Sequence, residues 1–123
     1  MLRKELRPLF VPLFVPLVCL FAPAWPGVAA ESGRVATFLS TTCIECHGPD
    51  VQEAGLRLDT LPLDPAKAAA SADALRILVR VHDRVRDGEM PPADASQPSE
   101  ADRRQFIAAI EPVITAAEAQ AAA

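Results

Sequence analysis

The chain has 123 residues, with 12 Lys and Arg against 16 Asp and Glu and a formal net charge of −4. That length is one domain. The acidic balance argues against nucleic acid and against an anionic lipid surface as partners, and only three cysteines exclude a disulfide-dense scaffold.

The first thirty residues have the layout of an export signal. Arg3, Lys4 and Arg7 stand against a single Glu5, and no charge follows from Pro8 to Ala30. Val28-Ala29-Ala30 then offers small residues at a cleavage site. The expected cut is after Ala30, with Ala24 as second choice. Pro8, Pro12 and Pro16 recur every four residues and disfavour a membrane-spanning helix. An uncleaved anchor is the competing reading. A lipid anchor on Cys19 lacks the small residues expected before it. In each case the basic end stays inside, so the remainder is expected to face outward, in the periplasm or otherwise exported. The expected domain is residues 31–123, with a core of about 33–115 and an alanine-rich tail expected to fray. From Glu31 onward there are 9 Lys and Arg against 15 Asp and Glu, a formal charge of −6. That acidity suits a basic docking face on a partner, and equally serves simple solubility.

A short helix is expected from Ser32, as N-cap, to Cys46, with Val35, Phe38, Leu39 and Thr42 on one side. It runs into Cys43-Ile44-Glu45-Cys46-His47. Two thiols three apart lie on one face of a helical turn, so both sulfurs can reach the two vinyl groups of one porphyrin, with the following imidazole as proximal iron ligand. With Cys19 removed, both remaining cysteines are used by thioether bonds. A thioredoxin-like pair needs a βαβ context that is missing, and zinc held by Cys43, Cys46, His47 and His82 lacks the usual second pair spacing.

Residues 48–64 read as a loop carrying Leu56, Leu58, Leu61 and Leu63, which are expected to line the haem edge. Residues 55–59 alternate as a very short extended piece would. Asp64-Pro65 is a cap followed by proline at the first helical position, and a second start lies at Ser71. From Asp73 to Asp87 the apolar line Leu75, Leu78, Val79, His82, Val85 has helical spacing, and Gly88 is the expected C-terminal cap. A proline-braced loop with Met90 follows. Ser99 and Asp102 resemble a capping box opening the last helix, with Phe106, Ile107, Ile110 and Ile114 as its buried stripe and Pro112 expected to kink or end it. The fold class read from these elements is all-α: three to four helices around a covalently attached haem.

After cleavage Met90 is the sole methionine, 43 positions beyond His47 and stiffened by Pro91 and Pro92. It is the expected sixth ligand, which raises the reduction potential relative to two histidines. His82 is the rival, although a histidine on an apolar helix face is more often a satisfied core or rim residue. Arg57 is a candidate partner for a haem propionate, or else simply pairs with Asp59.

Residues 43–50, 55–59 and the run Val85-Arg86-Asp87-Gly88-Glu89-Met90-Pro91-Pro92 together resemble the planctomycete-type cytochrome c domain, over about residues 35–115. The resemblance implies a class I-like all-α cytochrome fold, haem c linked through Cys43 and Cys46, and His47 and Met90 as axial ligands. That domain usually heads a much larger protein. With nothing after Ala123, the expectation is a soluble carrier or small subunit. The function expected is single-electron transfer by a monomeric exported monohaem cytochrome, not an enzyme, with weak and transient redox protein partners. The alternative is a peroxidase-like subunit or a gas or redox sensor with a displaceable Met90.

Overall fold

A computed structural model describes residues 26–123. The described residues form four α-helices: α1 Pro26–Thr42, α2 Pro65–Ala69, α3 Ala72–Arg86 and α4 Glu100–Ala121. Among the described residues there is no strand, only an isolated bridge between His47 and Gln52, and a single 3₁₀ turn at Glu53–Gly55. The all-α class is therefore as the sequence indicates. The extended piece at 55–59 pairs with nothing regular. Residues 1–25, which hold most of the expected export signal, lie outside the described residues. Cleavage after Ala24 would leave α1 whole, whereas cleavage after Ala30 would remove its first turn. Among the described residues no helix is long and apolar enough to cross a membrane.

α1 starts six residues earlier than the Ser32 cap signal suggested. Ser32 lies inside the helix, and its hydroxyl donates to Leu63 O at 2.8 Å, tying α1 to the loop before α2. A serine caps only where the helix begins, at a turn whose N–H groups are still unpaired; Ser32 stands within α1, and its hydroxyl serves a long-range contact instead. The other starts behave as read. Asp64 accepts from Lys67 N at 3.0 Å, Ser71 from Ala74 N at 3.2 Å, and Ser99 from Asp102 N at 3.1 Å. Gly88 takes φ +74°, the left-handed conformation that stops α3.

α4 packs against all three other helices. Phe106, Ala109, Ile110, Val113, Ile114 and Ala117 are buried along it. Phe38 of α1 stacks on Phe106 at a centroid separation of 4.2 Å. This burial explains two departures from the sequence reading. α4 continues through Pro112, and the alanine-rich tail is helical to Ala121. Pro112 does remove one helix hydrogen bond, but Val113, Ile114 and Ala117 beyond it lose their packing if the helix stops. A few buried side chains at roughly 1–3 kcal/mol each outweigh a single proline defect of about 3 kcal/mol.

The face of α3 also differs from the expected line. Its buried residues are Ala74, Leu78, Val81 and Val85, while Leu75, Val79 and His82 are only half-buried. α3 packs against α4 and α2, and the face buried in this way is offset from the apolar line read in the sequence.

Candidate haem site

The Cys43–His47 segment is a turn directly after α1 rather than part of the helix. It is closed by Cys43 N–H to Leu39 O at 2.9 Å, Cys46 N–H to Cys43 O at 3.2 Å and His47 N–H to Cys43 O at 2.9 Å. The helical turn that brings two sulfurs to one side is thus kept, although the regular helix has ended. The loop behind it is fastened by backbone. Glu53 N–H donates to Cys46 O at 2.9 Å and Leu58 N–H to His47 O at 2.8 Å. These bonds set Leu56 and Leu58 beside the turn. Gly48 is buried against it, and a Cβ there would lie 2.3 Å from Ile44 O, so only glycine allows this approach.

Two cavities open on the turn. The larger, ≈ 540 Å³, is walled by Leu56, Leu58, Ile77, Val81 and Val85, with Arg80 and Arg84 among its other lining residues. The smaller, ≈ 250 Å³, lies toward Cys46, Pro91, Pro92 and Gln97. Cys43, His47, Val85 and Met90 line both. The fold therefore brings together three of the expected residues from opposite ends of the site, and Cys46 joins them at the smaller cavity. Leu56 and Leu58 are in the wall as expected. Leu61 and Leu63 are not; they pack against the core cluster instead.

Both cysteines are free. Cys46 is exposed. Burial, helped by the neighbouring Cys46 sulfur, pushes the Cys43 thiol up to about 11, so it stays protonated at neutral pH. His47 Nδ1 is buried and has no hydrogen-bond partner. A buried polar atom left unpaired costs about 1–3 kcal/mol, and a histidine with a purely structural role is normally satisfied. The acceptor expected to orient this ring is not present in the described residues. An imidazole held unpaired at the mouth of an apolar cavity, beside two reduced thiols and a thioether, is a donor set that fits a covalently linked haem.

Two sequence candidates fall elsewhere. Arg57 lines neither cavity and makes a two-point ion pair with Asp59, with Nε to Oδ1 at 3.0 Å, so the simple pairing is the arrangement seen. His82 is also absent from both walls. Its Nδ1 lies 3.0 Å from Asp83 Oδ1 and its Nε2 3.3 Å from Glu111 Oε1 of α4. It ties α3 to α4 and does not stand opposite His47.

Residues 43–94 match the Planctomycete cytochrome C family. The matched stretch runs from the first thiol through the Met90 loop and contains every lining residue of the larger cavity. The family implies covalent haem c, and Cys43 and Cys46 are in place for it. No curated protein and no solved structure matches the chain.

Several site residues were not visible in the sequence. Ile77 and Val81 form a second apolar line on α3, at helical spacing with Val85, hidden by the more obvious first one. Arg103 and Gln97 are the other omission. Arg103 sits in the second turn of α4, near the positive end of the helix dipole where a cation is disfavoured. That misplacement was the one available signal that its charge is used elsewhere.

Proposed function

We propose that the protein is an exported monohaem c-type cytochrome that carries single electrons between redox proteins. The carrying observation is convergence: Cys43 and His47 from the end of α1 and Met90 from the loop after α3, far apart in sequence, line the same two cavities. Haem c bound there would supply one reversible electron at its iron. Cys43 and Cys46 would hold it through thioethers, and His47 and Met90 would bind the metal axially. Leu56, Leu58, Ile77, Val81 and Val85 give the larger cavity a mostly apolar wall, which suits a buried redox centre better than chemistry on a polar substrate. Arg80 on the cavity wall takes the carboxylate-binding role first considered for Arg57. Among the described residues Arg80 has no ion-pair partner, whereas Arg84 is paired with Glu89. The enzyme or sensor alternative needs Met90 to leave the iron and a distal acid–base group to act in its place; His82, the one candidate for that group, lies 3.3 Å from Glu111 and lines neither cavity. Cys46, exposed at the smaller cavity, marks the side on which a partner would dock briefly.

The test is expression with haem c maturation machinery in an exporting host. The expected product is coloured, heavier than the processed polypeptide by one haem, and shows a ferric absorption band in the red typical of sulfur–iron ligation. That band should vanish in Met90→Ala and persist in His82→Ala. A colourless protein of bare polypeptide mass overturns the reading, and a band unaffected in Met90→Ala removes Met90 from the ligand set.

A further inference from the structure

Met90 is 39% exposed, unusual for a large apolar side chain with a fixed task. Its backbone is nonetheless held at both ends. Met90 N–H donates to Arg84 O at 3.1 Å. Its carbonyl accepts from Arg103 Nη1 of α4 at 3.0 Å, and the same nitrogen donates to Val85 O at 2.8 Å. Arg103 Nη2 then donates to Gln97 Oε1 at 3.2 Å. Gln97 Nε2 in turn donates to Pro92 O at 2.7 Å, Ala95 O at 3.2 Å and Pro91 O at 3.3 Å. One guanidinium therefore joins the last turn of α3, the Met90 carbonyl and the far side of the loop. Its fork presents several N–H groups in a fixed plane, which a lysine cannot copy. Its charge also faces the carbonyl end of α3, where a cation is favoured. Half-buried, it is bonded here to carbonyl and amide oxygens and not to a carboxylate.

We infer that Arg103, acting through Gln97, is a positioning residue that holds the Met90 loop closed and so sets how readily the Met90 thioether leaves the iron. The inference rests on the haem reading above. Its content is additional: displacement of Met90 is gated from α4, by a residue outside the cavity walls. In the closed loop a competing ligand must wait for the clamp to open. Without Arg103 the loop opens more often, and the waiting time shortens.

The experiment uses haem-loaded protein and cyanide or imidazole as probes of the ferric iron. In Arg103→Gln the probe should bind at least about tenfold faster than in wild type, since loss of a single charge-assisted hydrogen bond shifts an opening equilibrium by that order. The red ferric band should weaken, and amide hydrogen exchange in residues 88–97 should quicken. Arg103→Lys should fall between the two. Val113→Ala, a buried α4 substitution away from the loop, controls for general destabilisation and should lower the melting temperature without changing the probe rate. If Arg103→Gln does not accumulate, Gln97→Ala tests the same clamp. A wild-type probe rate and exchange pattern in Arg103→Gln, or in Gln97→Ala in its place, overturns the inference while leaving Met90 ligation intact. A wild-type protein that carries haem but shows no red band overturns both together.

Discussion

Replacing Gly48 with alanine tests the turn on which the site depends. The added Cβ would stand 2.3 Å from Ile44 O and 2.7 Å from Ile44 Cγ2, against a relaxed carbon contact of about 3.5–4.0 Å. The Ile44 side chain can rotate away. Its carbonyl cannot, because it is backbone in the middle of the Cys43–Cys46 turn, and relief must move one sulfur relative to the other. Overpacking typically costs about 1–3 kcal/mol, and a clash against backbone belongs at the top of that range. For a domain this size about 3 kcal/mol corresponds to a fall of roughly 10–20 °C in melting temperature. The fraction of secreted protein carrying haem should fall with it, because misaligned sulfurs are linked less completely. Both are measurable, by thermal circular dichroism and by intact mass. Gly33→Ala supplies the opposite sign on the same helix–turn unit. Its Cβ would meet nothing within 4 Å, and alanine in a helix interior is favoured over glycine by about 0.5–1 kcal/mol. A Gly48→Ala protein with wild-type melting temperature and full haem loading would refute the close approach.

Other outcomes follow from the same geometry. Arg80→Gln should shift the propionate bending band in the resonance Raman spectrum of the loaded protein, while Arg57→Gln, whose parent pairs with Asp59, should not; the reverse result would restore Arg57. In protein made without haem, iodoacetamide should modify exposed Cys46 well before Cys43, and Cys43 should become reactive only as pH approaches about 11. The same shift has a stability sign. The folded Cys43 thiol keeps its proton above the ordinary value of 9.0, so stability is level below pH 9 and falls between 9 and about 11, by about 2–3 kcal/mol in urea unfolding. Thioether-linked protein should lack that fall, having no proton to lose there. Phe106→Ala removes the ring stacked on Phe38 at a site 2% exposed and should cost about 3–5 kcal/mol by denaturant unfolding; a loss under 1 kcal/mol would contradict the packing described for α1 and α4.

The sequence by itself determined the elements and the chemistry that are local. Asp64, Ser71, Ser99 and Gly88 act over one turn of chain, so their capping roles could be read directly. The Cys43–His47 spacing and Met90 directly before two prolines likewise carry their meaning in a few adjacent residues, and the all-α class follows from periodicity alone. What only the tertiary structure decided depends on contacts between distant segments. Ser32 bonds across to Leu63 instead of starting a helix. Pro112 is overridden because α4 is buried against three helices at once. Which residues of α3 face inward was set by the packing of α4 and α2 against it. His82 had two chemically sensible roles, and the fold supplied Glu111 of α4 as its partner. Arg103 meets the Met90 loop only because α4 passes beside it. A pattern in a chain records what each residue can do; the folded neighbours determine which of those possibilities is used, since burial and hydrogen bonding act through space and not along the backbone.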